Sequence, residues 1–293
     1  MYQKSVGKQI WRVISPIVVY NAAVFVVELI AMSICYIQHW DEILALSGTQ
    51  DEVFYAALEI IANSDLLSYS VEMMGIAGAI ACPFLARMRK KDRINELKAG
   101  ILPNNKAPLS KYGLIVALSI PFALGLNNII LLANLAEYSE IYQEAVETFY
   151  AADFLVQILC LGIISPVVEE YIFRGLIYSR IRSVSRSPVA AMLISGFMFG
   201  FYHGNLVQTI YGCLSGVLLA YLYEKYGSMK APILAHILMN MVALVLTEVE
   251  VFVWMFKDLM RMGMITVACA ALASSMFLLI KKIDEKPLKC EAE

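Results

Sequence analysis

Three stretches of the chain place ionisable and amide side chains inside runs that are otherwise apolar. Glu169, Glu170 and Arg174 lie in 154–178, Phe199 and His203 in 188–206, and His236 and Asn240 in 231–247. An ionisable group within a membrane span costs about 2.5–3.5 kcal/mol on insertion scales, so such groups mark function. Glu170 and Arg174 are four residues apart, stacked on one helix face, where they can form an ion pair. Glu169 is turned by roughly 100° from Glu170 and can face elsewhere, free to act on water as a general base. His236 and Asn240 also share a face and aim two hydrogen-bond donors at one point, which is what an oxyanion hole requires. No serine or cysteine is arranged as a covalent nucleophile. A purely structural role for Glu170 and Arg174, as a buried pair holding helices together, fits the spacing equally well.

The elements that must position these groups are membrane helices. Of 293 residues, 60% are hydrophobic and only 16% charged, with a mean hydropathy of +0.67. Ordinary soluble chains carry roughly 45–50% apolar and about 25% charged residues. The composition excludes disorder, coiled coils and a basic nucleic-acid-binding domain, and the net charge of −2 implies no anionic partner. A spanning helix needs about 20 mostly apolar residues. Eight segments qualify: 14–37, 66–86, 113–133, 154–178, 188–206, 209–224, 231–247 and 262–280. The expected fold is an all-α, polytopic membrane bundle, with 51–64 and 251–260 lying at the interface. Gly196, Gly200 and Gly204, and then Gly212 and Gly216, recur at four-residue intervals that let helices approach closely. His203 sits beside the first of these stripes.

Basic residues set the direction of the spans. In the eight-span arrangement 21 of the 23 lysines and arginines fall on one side, from Lys4, Lys8 and Arg12 to the tail lysines 281, 282, 286 and 289. Only Lys257 and Arg261 fall on the other, whose loops carry Asp41, Glu42, Asp51 and Glu52, and then Glu137, Glu140, Glu144 and Glu147. The positive-inside rule then places both termini in the cytoplasm. The six cysteines form no C-x-x-C pair and read as small buried hydrophobes. Cys290 stands four residues from the end, but without the aliphatic pair of a prenylation signal. Glu28, Asn127 and Asn128 read as glue between helices.

In order along three spans, Glu169-Glu170-x-x-x-Arg174, Phe199-x-x-x-His203 and His236-x-x-x-Asn240 resemble the three-motif signature of the CPBP family. These intramembrane proteases include the CAAX prenyl endopeptidases and the bacteriocin-processing and self-immunity (Abi) proteins. The resemblance runs over 154–247, roughly a third of the chain. It divides the chain into 1–133, a catalytic core at 154–247, and 248–293 with the last span and basic tail. It implies an endopeptidase in which Glu169, helped by His203, activates a water, while His236 and Asn240 stabilise the oxyanion. Glu170 and Arg174 orient the site, and Phe199 packs.

A zinc ion, if one were used, would take Glu169, His203 and His236. The helical H-E-x-x-H pattern is absent and asparagine is a poor zinc ligand, so metal-free chemistry without a cofactor is expected. The implied partners are the lipid bilayer and a membrane protein or peptide substrate, prenylated or leader-bearing, with no nucleic acid. The alternative is a non-proteolytic scaffold that regulates another membrane protein. A transporter fits poorly, because the halves show no symmetry. The expected location is a prokaryotic plasma membrane. Counted along straight helices, His203 falls roughly 22 Å from the basic side, against roughly 15 Å for Glu169 and 9 Å for His236; a tilt, a kink near the glycines or a shorter fifth span would bring them level.

Overall fold

The computed structural model describes residues 6–62, 64 and 69–283, and every regular element among them is helical. Lys4, Lys286, Lys289, Cys290 and positions 66–68 of the second expected span lie outside the described residues. In chain order the helices are α1 (Val6–Gln38), the short α2 (Trp40–Leu44), α3 (Gln50–Ala62), α4 (Ser70–Lys98), α5 (Gly113–Leu132) and α6 (Glu140–Ala151). They continue with α7 (Phe154–Ser185), α8 (Pro188–Tyr202), α9 (Leu206–Tyr226), α10 (Lys230–Glu248), the short α11 (Val251–Phe256) and α12 (Leu259–Lys281). Seven of them, α1, α4, α5, α7, α9, α10 and α12, are long and apolar enough to cross a bilayer. The chain is an integral, multi-pass membrane protein.

The fifth expected span, 188–206, is the shorter α8. Ser187 caps its start by accepting from the amide of Ala190, with Pro188 at the first helical position. It ends because Gly204 takes φ +74°, a left-handed conformation that reverses the chain. Asn205 then caps α9 by accepting from the amide of Gln208. At 15 residues α8 is about 22 Å long, against roughly 30 Å of hydrocarbon. Gly204 therefore serves the turn, while the other glycines make the close packing. A Cβ on Gly212 would stand 2.9 Å from the Cα of Gly200, and one on Gly196 2.7 Å from the backbone nitrogen of Val217.

Central to the bundle is α7, packed by α1, α4, α8, α9 and α10. Its i→i+4 ladder widens to π-helical geometry over Ile158–Ile164 and Tyr171–Tyr178. Pro166 has no N–H to return and its ring would press on the carbonyl at position 162, so the backbone before it opens. Tyr20 from α1, Ala81 and Leu85 from α4, Phe173 and Ile177 from α7, and Phe199 from α8 close one core. A second core joins α5, α9, α10 and α12 around Leu118, Leu219, Met239 and Ala273. Asn128 donates to the Thr266 hydroxyl at 3.1 Å, tying α5 to α12 as the glue reading expects. Beyond the apolar zone, Arg180 Nε pairs with Asp92 Oδ2 at 2.5 Å and locks α7 to α4.

The two segments expected at the interface, 51–64 and 251–260, overlap the helices α3 and α11. Part of the acidic stretch expected as an open loop is the helix α6 instead, capped by Ser139 through the amide of Tyr142 and tied down by the Tyr150 hydroxyl on Thr247 at 3.2 Å. Its acidic side chains concealed a short amphipathic helix.

Candidate active site

Glu169 and Glu170 stand on consecutive positions of α7, between its two π-helical segments. Glu170 and Arg174 are both fully buried and paired, Arg174 Nη1 donating to Glu170 Oε1 at 2.7 Å. The guanidinium is held twice more. Its Nη2 donates to the carbonyl of Gly216 at 2.9 Å, and its plane lies 4.6 Å from the ring centroid of Phe199. Gly216 can present that carbonyl because α8 and α9 meet at glycines. Cation–π attraction of a desolvated arginine adds about 2 kcal/mol.

His236 projects from α10 into the gap between the two glutamates. Its Nδ1 is 2.8 Å from Glu170 Oε1, and its Nε2 is 3.6 Å from Glu169 Oε2. Glu170 Oε1 thus accepts from Arg174 and from His236 together. The Nδ1–H bond fixes the ring and leaves Nε2 directed at Glu169. The 3.6 Å separation exceeds a direct hydrogen bond, which leaves Glu169 Oε2 able to take another partner. Glu169 is the more open carboxylate, at 17% exposure against none for Glu170. Its Oε1 accepts from the Ser165 hydroxyl one turn earlier at 2.7 Å.

Phe199 does more than pack. Its ring edge-packs on His203 with centroids 4.9 Å apart and on His236 at 5.5 Å, so one ring spaces both histidines and carries Arg174. His203, at the C-terminal end of α8, holds its Nδ1 2.9 Å from the Phe199 carbonyl, which directs Nε2 away from its own helix. It forms no ion pair with Glu169 or Glu170. Asn240 shares the His236 face as its spacing requires, but its amide donates to the carbonyl of Leu161 at 2.9 Å, in the first π-helical segment of α7. The widened ladder turns that carbonyl out to a neighbour.

The structure therefore brings Glu169, Glu170, Arg174, Phe199 and His236 into direct contact, with His203 and Asn240 around them. Sequence reasoning missed Ser165, although its i, i+4 spacing to Glu169 was visible. It also missed Tyr202 and Tyr211, whose rings each lie 6.4 Å from that of His203, one on α8 and one on α9. Nothing in their local sequence marks them. Among the described residues no three histidine, cysteine or carboxylate side chains stand close enough together to hold a metal ion.

Residues 151–242 match the family model described as "Type II CAAX prenyl endopeptidase Rce1-like", which takes in every motif residue named above. The chain is similar to "Putative membrane peptidase YdiL" of Bacillus subtilis (strain 168), with 32% identity over 85 residues. That alignment covers 29% of this chain and 34% of the relative, so the match spans about a third of the relative's length. No solved structure matches.

Proposed function

We propose that this protein is an intramembrane endopeptidase that hydrolyses a peptide bond of a membrane-associated substrate, with Glu169 as general base. The observation that carries the reading is His236 held between Glu170 and Glu169, with Arg174 offsetting the charge of the buried glutamate. In this reading a water bound at Glu169 gives up a proton to the carboxylate while its oxygen bonds to the substrate carbonyl carbon. The carbonyl electron pair moves onto oxygen, and the oxyanion takes a hydrogen bond from the second amide hydrogen of Asn240 and, with His236 carrying protons on both ring nitrogens, a second from its Nε2–H. Collapse breaks the carbon–nitrogen bond as Glu169 passes its proton to the leaving amine. Ser165 holds Glu169, Glu170 and Arg174 hold His236, and His203 completes the water site from the tip of α8. The match to the prenyl endopeptidase family supports a lipidated or otherwise membrane-held peptide as substrate.

The test compares membrane and secreted peptides of cells making the wild-type protein or Glu169→Gln at equal abundance. Peptide ends present only with wild type are expected, and purified Glu169→Gln should lose about 100-fold or more of the rate on such a peptide. Identical peptide sets, with the cellular phenotype kept by the variant, overturn the enzymatic reading in favour of a scaffold. Activity of the purified protein is expected to survive chelation. A loss restored by zinc would instead assign Glu169, His203 and His236 as ligands.

A further inference from the structure

A second polar feature lies on the other side of α7. Tyr171, two residues on from Glu169 and so turned by roughly 200° about the helix axis, begins the wall of a cavity of about 1400 Å³. The C-terminal part of α4, the segment 99–106, the second half of α7 and the end of α9 enclose it. Six cations line it, Arg89, Lys90, Arg93, Lys106, Arg182 and Arg186, against two carboxylates, Glu96 and Glu224. Both carboxylates are already engaged: Glu96 by Arg89 at 3.0 Å and Arg93 at 3.4 Å, and Glu224 by Arg182 at 3.6 Å and the Tyr178 hydroxyl. Lys90, Lys106 and Arg186 pair with no carboxylate among the described residues. A concave wall of uncompensated positive charge focuses potential and draws an anion.

Two further observations define the anion. Along α4, Ile76, Ile80 and Phe84 are exposed as a lipid-facing surface, and the cationic run starts within a turn of Phe84. The cavity therefore opens where hydrocarbon gives way to headgroups. Its wall also includes Ala86, Ile101, Leu102 and Met229, apolar groups that a free inorganic anion would not use. Arg186, moreover, ends α7 at φ 55°, a left-handed conformation in which glycine or asparagine is the usual occupant. An arginine there holds its charge at the cavity wall at a cost to the backbone.

We propose that this cavity binds the phosphate-bearing headgroup of an anionic phospholipid. The site is separate from the glutamates, and the proposal stands whether or not the peptidase reading does. The test uses the full-length protein in neutral detergent, titrated with short-chain phosphatidylglycerol, short-chain phosphatidylcholine or inorganic phosphate while its melting temperature is followed. Phosphatidylglycerol should give a saturable rise that weakens with added salt, and phosphatidylcholine none. In Lys90→Gln/Lys106→Gln/Arg186→Gln, which spares every ion pair, half-saturation should move up by roughly 10-fold or more. Should that variant fail to fold, Arg186→Gly relieves the left-handed position, so it should melt no lower than wild type without lipid yet bind phosphatidylglycerol more weakly. The absence of a phosphatidylglycerol effect, or an unchanged half-saturation in the variants, overturns the site. An equal rise with inorganic phosphate at the same concentration overturns the lipid as its ligand.

Discussion

Ser165 and Glu170 separate two jobs that the charged cluster performs. The Ser165 hydroxyl touches only the more open carboxylate, Glu169, at 2.7 Å, so it positions the base without holding helices together. A hydrogen bond to a charged group contributes about 1.5–3 kcal/mol, so Ser165→Ala should lower kcat by roughly 10-fold or more with little change in KM or melting temperature. Ser165→Thr should recover much of the rate, and a melting temperature that falls in step with activity would make the serine merely structural. Glu170 is the converse case. Its carboxylate is the shared acceptor for Arg174 and His236, and its removal strands a buried guanidinium, which costs about 3–5 kcal/mol. Glu170→Ala should therefore unfold at markedly lower denaturant, while Glu169→Gln should not. Every motif residue was legible in the sequence, and so was the Glu170–Arg174 pair, because i, i+4 spacing on a helix fixes it. That His236 enters between the two glutamates was not, because the rotation of α10 against α7 is decided by side chains distributed over several helices.

At the scale of elements, the close contact of α8 and α9 decides where His203 stands. A Cβ on Gly200 would meet the Cys213 backbone nitrogen and the Thr209 carbonyl oxygen, each at 2.6 Å, so even alanine forces the two backbones apart. Overpacking of this kind costs about 1–3 kcal/mol. Gly200→Ala should lower both stability and activity, whereas Gly263→Ala, with nothing near its Cβ, should leave both unchanged; thermal unfolding and a peptide-cleavage rate check the contrast. The start of α3 carries a pH dependence of its own. Glu52 Oε2 accepts from the Thr49 amide at 2.8 Å and the Thr49 hydroxyl at 2.9 Å, and these bonds, the amide's first, hold its carboxyl below the ordinary glutamate range. A lowered folded value means that the cap is intact above the ordinary range and is lost as pH falls through the folded value. Amide exchange over residues 51–53, corrected for the intrinsic rate, should accelerate only on that acidification, and already at neutral pH in Glu52→Ala. Hydropathy located the long helices, but the span read as 188–206 carried a helix through His203-Gly204-Asn205, where the chain turns, because Gly204 continued a four-residue stripe that also fits helix packing. The π-helical widening of α7 was not legible, since a proline can equally kink, break or widen a helix, and packing chooses among these.

For the whole molecule, the short α8 makes topology a question of parity. If α8 and α9 both cross, the chain crosses the bilayer eight times; if they form a hairpin that enters and returns, it crosses six times. Either count is even, so both ends of the chain are expected on one side, which the excess of basic residues predicts to be the cytoplasm. Reporters fused at the two termini should therefore agree. The two arrangements differ at the hairpin tip. A helix of 15 residues falls roughly 8 Å short of the hydrocarbon thickness, so the tip should stay below the outer surface, with His203 inside the membrane at the depth of a partly hydrated site. Leu206 and Tyr138 are both exposed on the protein surface, one at the tip and the other in the acidic segment that the charge bias predicts to be outside. In intact cells, Tyr138→Cys should react quickly with a membrane-impermeant maleimide. Leu206→Cys should resist it, yet still react with a permeant one. Equal labelling of the two by the impermeant reagent would put the tip of α8 in the outer solvent and open the water site from that side. Resistance at Leu206 would leave the end of the bundle that carries the basic loops as the route by which water reaches Glu169.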